Sequence, residues 1–153
     1  MTKPPSPSRA DATERDGLER ALSALERRER STAQVERYLA ERGVDDAERE
    51  AILETLSRTS LVDDRRFAET RASSLAERGA GDVRIRHELA QAGIDRDVIS
   101  DVLGALPAEL ERAERIAARR GVSPKTARYL AGKGFSEDVV RAVVARSDDE
   151  PLG

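Results

Sequence analysis

The sequence has no cysteine and no tryptophan, and it contains one histidine, two tyrosines and two phenylalanines. Without cysteine the chain cannot form disulfides, thiolate nucleophiles or cysteine-ligated metal sites. Aromatic residues make up 3% of the chain, so a core must be built from Leu, Val, Ile and Ala, which suits closely packed helices. No apolar run approaches the roughly 18 residues of a membrane span, and the N-terminus lacks the apolar core of a signal peptide. We therefore expect a cytoplasmic protein with no membrane partner.

Patterns typical of an active site are missing as well. The sequence has no glycine-rich phosphate loop, no serine triad and no spacing typical of metal ligands. Carboxylate pairs such as Asp63 and Asp64 stand at predicted helix starts, where capping and the helix dipole explain them. His87 lies between Arg86 and Glu88 on a predicted helix, which favours a surface residue. We predict that the chain is not an enzyme and that it has no catalytic residues, metal or cofactor.

The sequence does contain an internal repeat. Three copies share an apolar residue, a gap of three residues, a glycine and a second apolar residue, at Leu39–Gly43–Val44, Leu89–Gly93–Ile94 and Leu130–Gly134–Phe135. Each copy is too small to bury a core alone, so neighbouring copies are expected to stack. The helical spacing of the apolar residues gives three helices per copy and no convincing strand. The fold class predicted is therefore all-α, with three tandem three-helix repeats.

Turn and capping signals place the boundaries of these repeats. We predict repeats at 17–60, 61–106 and 107–146, between a disordered tail at 1–16 and an acidic tail at 147–153. The residues assigned to caps, turns and hydrophobic staples are Ser31, Gly43, Asp63, Asp64, Phe67, Gly93, Gly134 and Phe135.

Positive charge is concentrated in the third repeat. Repeats 1 and 2 each have a net charge of −2, whereas repeat 3 has nine Lys or Arg against five acids, a net charge of +4. A basic cluster is the electrostatic signature of contact with phosphate or with an acidic partner. The candidate partner-binding residues are Arg27, Arg28, Arg30, Arg84, Arg86, Arg119, Arg120, Lys125, Arg128 and Lys133. Those of repeats 1 and 2 stand beside acids and could instead form exposed ion pairs of little energetic weight.

Taken in order, these features resemble the RecX family of bacterial regulators of the RecA recombinase. The resemblance covers about residues 18–146 and depends on the order and spacing of several motifs. They are Arg30 with Ser31, the stretch 63–68, the run 84–89 before Gly93 and Ile94, and the closing Gly134, Phe135 and Ser136.

The resemblance implies an elongated, curved helical array that binds RecA, in the groove of its filament on single-stranded DNA. Members of the family restrain filament growth and lower the ATP hydrolysis and strand exchange that depend on it, within homologous recombination, DNA repair and the SOS response. We expect the chain to act as a monomer.

Two alternatives stay open. The first is a DNA-binding module that contacts DNA directly through repeat 3, because residues 123–145 superficially resemble a helix-turn-helix. Its last helix offers only Arg141 and Arg146 as cations, which disfavours a recognition helix. The second is a helical-repeat scaffold for another partner, since repeat architecture sets shape and leaves the partner to surface residues.

Overall fold

The computed structural model describes residues 2–6 and 9–148, without the side chains of residues 10–12, 147 and 148. This part of the chain forms helices and no strand, which confirms the all-α prediction. The helices are α1 Arg9–Arg27, α2 Thr32–Glu41, α3 Asp46–Arg58, α4 Asp64–Glu77, α5 Asp82–Gln91, α6 Arg96–Ala105, α7 Glu109–Arg120, α8 Pro124–Gly132 and α9 Glu137–Asp148.

Helix α1 begins at Arg9, so the prediction of a disordered tail over residues 1–16 is wrong for residues 9–16. The stretch contains strong helix formers such as Ala10, Ala12 and Glu14, which can extend a helix that is already packed. Gly17 provides that packing: it is buried, and a Cβ placed there would lie 2.8 Å from Cδ1 of Ile52 in α3. At the other end, α9 continues to Asp148, two residues into the predicted acidic tail. Residues 149–153 lie outside the described residues.

The chain divides into two compact units, Met1–Phe67 and Ala68–Gly153. In the first unit α1, α2 and α3 pack against one another. The core of this unit includes four apolar side chains that are at most 1% exposed, those of Val35, Leu39, Ile52 and Leu56. Most of this core comes from the predicted first repeat, and Val62 of the predicted second repeat adds to it.

The second unit contains the C-terminal part of α4 and all of α5 to α9. Its core includes Ala113, Ile116, Leu130, Phe135 and Val143, contributed by α7, α8, the turn after α8, and α9. Residues of the predicted second and third repeats therefore belong to one unit.

Four of the residues assigned to turns and caps have the predicted local geometry. Gly43, Gly93 and Gly134 have φ values of 78°, 77° and 89°, a left-handed conformation that favours glycine. Ser31 forms the predicted capping box: its Oγ accepts the N–H of Gln34, and the Gln34 side chain accepts the N–H of Ser31. These local signals were reliable because each depends on neighbours in the sequence.

None of the helices in the described ranges combines the length and apolar character needed to cross a bilayer.

Candidate functional site

A cleft of about 670 Å³ opens in the second unit and is lined by five arginines against one acid, Glu77. The arginines are Arg78, Arg112, Arg115, Arg119 and Arg120. Apolar parts of the lining come from Leu106, Pro107, Ile116 and Phe135. We call this feature the arginine cleft.

Helix α7 supplies one wall of the arginine cleft. Arg112, Arg115 and Arg119 follow each other at spacings of three and four residues, which places their side chains on one face of the helix. Arg119 and Arg120 occupy the last turn, where the negative end of the helix dipole favours cations. Gly121 then ends the helix with φ 82°. The helix thus concentrates positive charge at its C-terminal end.

The guanidinium groups of the cleft differ in what they contact. Arg115 donates to a carboxylate oxygen of Glu111 at 3.2 Å, in a pair with both side chains more than half exposed. Arg120 lies over the ring of Tyr129, with Cζ 3.7 Å from the ring centroid. Within the described ranges, the side chains of Arg78 and Arg119 form no hydrogen bond or ion pair and are exposed. These two cations are available to a ligand.

Arg112 is the buried member of the set, with 8% of its surface exposed. Its Nη1 donates to the carbonyl of Ala80 at 2.8 Å and its Nε donates to the carbonyl of Pro107 at 3.0 Å. Its Nη2 forms an ion pair with Asp82. Because each nitrogen has a partner, the buried charge is satisfied and its position is fixed.

Glu109 joins the same network from the first turn of α7. It accepts the backbone N–H of Asp82 at 2.6 Å and the hydroxyl of Ser136 at 2.5 Å. Burial raises the pKa of the Asp82 carboxyl, and the negative charge of Glu109 raises it further, against the opposing effect of Arg112. The start of α5 is therefore held by a carboxylate from a helix 27 residues further along the chain.

The backbone contributes a second link between these segments. Gly81 N–H donates to the carbonyl of Lys133, and Val83 N–H donates to the carbonyl of Gly134, both at 3.0 Å. A Cβ at Gly81 would collide with the backbone of Gly134 and Phe135. The otherwise unpaired N–H groups at the start of α5 thus find carbonyl partners in the turn after α8.

The first unit uses a related contact at the start of α2. Asp64, in the first turn of α4, accepts the backbone N–H of Thr32 at 2.8 Å across 32 residues. Its neighbour Asp63 accepts the N–H of Arg66 at 3.1 Å, which confirms the predicted cap of α4. Val62 and Phe67, the predicted staple pair, are both buried. Asp64 therefore does more than favour the dipole of its own helix.

The structure brings together only part of the predicted cation set. Arg119 and Arg120 line the arginine cleft, and Lys133 lies beside its wall at Gly79. Lys125 and Arg128 are exposed on α8 but do not line the cleft.

The other predicted cations are elsewhere. In α5, Arg84 lies 4.0 Å from a carboxylate oxygen of Glu88, and Arg86 is exposed, as is the neighbouring His87. In the first unit, Arg27 and Arg28 are exposed near the end of α1.

Arg30 is half-buried and lies over the ring of Tyr38 at 5.1 Å. Burial lowers the pKa of Arg30, and the nearby charge of Arg28 adds to this effect.

Sequence reasoning missed three arginines of the cleft, Arg78, Arg112 and Arg115. Two of them share the helical spacing of Arg119, which the sequence displays. Arg78 comes from the turn after α4, so only the tertiary structure brings it to the cleft.

Two family models match the chain. The model described as the first three-helix domain of RecX matches residues 18–56, and the model described as the second three-helix domain matches residues 63–103.

Several relatives and solved structures are similar over most of the chain. The regulatory protein RecX of Halorhodospira halophila is 36% identical, over 94% of this chain and 95% of the relative. That of Leptothrix cholodnii is 40% identical, over 86% of this chain and 88% of the relative. The crystal structure of RecX from Lactobacillus salivarius has a TM-score of 0.76 and covers 90% of this chain and 97% of its own. At 23% identity, this last similarity concerns the fold alone.

Proposed function

The chain belongs to the RecX family of regulatory proteins, and from that premise we propose that it binds RecA, or the RecA filament on single-stranded DNA, and inhibits the filament. Inhibition covers filament growth, ATP hydrolysis and strand exchange. In this proposal the chain is a cytoplasmic, monomeric regulator of recombination and DNA repair, and not an enzyme. The observation that carries the proposal is the arginine cleft, with the exposed cations Arg78 and Arg119.

The charge of the cleft supports contact with an acidic protein surface or with phosphate. Its lining has a net charge of +4, from five arginines and Glu77. Guanidinium groups bind carboxylates and phosphates through paired hydrogen bonds, so they suit either surface of a protein–DNA filament.

Inhibition can arise from several modest contacts acting together. Each unit offers exposed cations of its own, Arg27 and Arg28 in the first and Arg119 and Arg128 in the second. Once one contact forms, the others form at a high effective concentration, so no single strong site is needed. A chain bound to neighbouring RecA subunits would then have to be displaced before a subunit is added or exchanged.

The test is ATP hydrolysis by RecA of the same organism on single-stranded DNA, with this chain titrated at near-physiological salt. We expect inhibition at well below one chain per RecA subunit. The double variant Arg119→Ala/Arg120→Ala should need roughly tenfold more protein for the same inhibition, as expected for the loss of about 1.4 kcal/mol of binding free energy.

The matched control is the double variant Arg58→Ala/Arg96→Ala, which removes the same charge from exposed positions outside the cleft. It should inhibit like the unchanged chain. Equal inhibition by both double variants would contradict the role of Arg119 and Arg120. No inhibition by the unchanged, folded chain would contradict the proposed function itself.

Direct DNA contact through the third repeat is a second candidate, favoured by the exposed Lys125 and Arg128 of α8. The following helix weakens it, because Arg141 forms an ion pair with Glu137 at 2.9 Å and Arg146 pairs with Glu114. Fluorescence anisotropy with duplex DNA in the absence of RecA separates the two functions. Tight binding that weakens steeply with added salt would favour the DNA-binding module.

A further inference from the structure

We propose that the arginine cleft is a binding site for a nucleoside polyphosphate. The site needs no RecA, so the proposal holds or fails independently of the function proposed above. Three properties of the cleft carry it: exposed cations for the phosphates, an exposed aromatic ring for the base, and a volume suited to one small molecule.

The phosphates are assigned to Arg78, Arg115 and Arg119. The side chains of Arg78 and Arg119 have no hydrogen-bond or ion-pair partner in the described part of the chain. Arg115 is 64% exposed and its pair with Glu111 is of the weak surface kind, so a phosphate can replace that partner. Arg115 and Arg119 lie one helical turn apart, roughly 6 Å along the axis. Adjacent phosphates of one polyphosphate can therefore meet both.

Arg112 forms a fixed part of the cleft wall. Its three nitrogens already have protein partners, and it is held between the carbonyls of Ala80 and Pro107 and the carboxylate of Asp82. Its positive charge is balanced by Asp82, so Arg112 holds the wall of the cleft in place. It is not expected to contact the ligand, because its nitrogens already have protein partners.

The base is assigned to the platform made by Tyr129 and Arg120. The Arg120 guanidinium stacks on the Tyr129 ring at 3.7 Å, and Tyr129 is 36% exposed. Aromatic rings and guanidinium planes are surfaces on which nucleobases stack with little preference for sequence. The apolar atoms of Pro107 and Ile116 line the same cleft and suit the flat faces of a base or ribose.

The size of the cleft favours a free nucleotide over a nucleic-acid strand. A volume of about 670 Å³ falls within the range of roughly 300–1,000 Å³ typical of small-molecule sites. A strand presents one phosphate per nucleotide, whereas a triphosphate places all its charge at one end and can meet the three assigned arginines that line the same cleft. The density of positive charge in the cleft therefore suits a free polyphosphate better than a nucleic-acid strand.

The experiment titrates the isolated full chain with nucleotides, without divalent cations, and follows backbone amide NMR shifts. Affinity should rise from AMP to ADP to ATP, by roughly tenfold per phosphate if each adds one charge-assisted contact. The shifts should map to α7, Arg78 and Tyr129. Inorganic tripolyphosphate should bind at least about fivefold more weakly than ATP, because it has no base to stack.

Two variants separate the phosphate and base contacts. Arg78→Ala/Arg119→Ala should weaken ATP and tripolyphosphate alike, by roughly tenfold or more. Tyr129→Leu should weaken ATP by at least about fivefold and leave tripolyphosphate unchanged. The control Arg58→Ala/Arg96→Ala should bind ATP like the unchanged chain, and amide spectra report that each variant is folded.

Three results would overturn the proposal. The first is no ATP-dependent shift at the cleft. The second is binding of an oligothymidylate or an acidic peptide there under conditions in which ATP does not bind, which would assign the cleft to a polymer. The third is equal weakening of ATP binding by the control, which would reduce the effect to overall charge.

Discussion

Asp64 and Glu109 perform the same task in different parts of the molecule, but the residue three positions later differs. Each accepts a backbone N–H at the start of a helix from an earlier segment, Asp64 that of Thr32 and Glu109 that of Asp82. Phe67 follows the first acid and Arg112 follows the second, and both are 8% exposed. The same helical arrangement is thus completed by an apolar ring in one place and by a buried cation in the other.

The difference shows that the buried position tolerates opposite chemistries if polar atoms are satisfied. Phe67 needs only apolar neighbours, whereas Arg112 needs two carbonyls and the Asp82 carboxylate. The second solution also has a consequence at the surface, because Arg112 is part of the arginine cleft. Stabilisation of the fold and the wall of the cleft therefore depend on the same side chain.

The largest expected effect comes from removing the polar contacts of Arg112. Arg112→Ala leaves the Asp82 carboxylate without its cation and two carbonyls without their donors, and it should lower the free energy of unfolding by about 3–5 kcal/mol. Phe67→Ala should cost a similar amount, about 3–5 kcal/mol, through lost apolar burial and a cavity. Urea denaturation followed by circular dichroism measures both.

A second substitution tests whether the stability lost in Arg112→Ala comes from the unpaired charge of Asp82. Adding Asp82→Ala to Arg112→Ala removes the unpaired charge, so the double variant should be more stable than the sum of the single effects predicts. The difference would be on the order of 1 kcal/mol or more. Strict additivity would show that the ion pair contributes little and that Arg112 acts through its packing and its hydrogen bonds to the carbonyls of Ala80 and Pro107.

The contrast between Phe67 and Arg112 also marks the limit of what the sequence could predict. The capping box at Ser31 and the left-handed glycines depend on neighbours within a few residues, and they were predicted correctly. The contacts of Arg112 and Glu109 span up to 32 residues and depend on how helices pack, which no local pattern encodes.

The residues of the candidate site also divide into those that the sequence indicates and those that only the tertiary structure brings together. The basic character of the third repeat was visible in its composition, and Arg119 and Arg120 were identified from it. Arg78 was missed because it reaches the cleft from the turn after α4, more than 30 residues before α7 begins. The early helix start at Arg9 was missed because the burial of Gly17 against Ile52 is a tertiary contact.

Gly81 and Ser31 provide the next test, since each immediately precedes a helix, α5 or α2. Gly81 has an ordinary φ of −85°, so only the close approach of Gly134 and Phe135 excludes a side chain there. Gly81→Ala should cost about 1–3 kcal/mol, because the backbones must move apart. Ser31→Ala should cost about 1 kcal/mol through the lost cap.

Amide hydrogen exchange locates the two effects. Gly81→Ala should speed exchange at Val83 N–H, which donates to the carbonyl of Gly134, and Ser31→Ala should speed exchange at Gln34 N–H. Unchanged protection of Val83 in a folded Gly81→Ala chain would argue against the close backbone contact.

The smallest expected effect is the pH dependence of stability that the buried Asp82 carboxyl introduces. Burial and the charge of Glu109 raise the pKa of Asp82 above its ordinary value of 3.8, despite Arg112. The folded state therefore binds this proton more readily than the unfolded state, and the contribution of Asp82 to stability falls as pH rises above that value. The free energy of unfolding of the unchanged chain, minus that of Asp82→Asn, should decrease with pH, and Glu109→Gln should flatten the decrease. A difference that grows with pH would mean that the ion pair with Arg112 outweighs burial, and that the cleft is held by charge attraction.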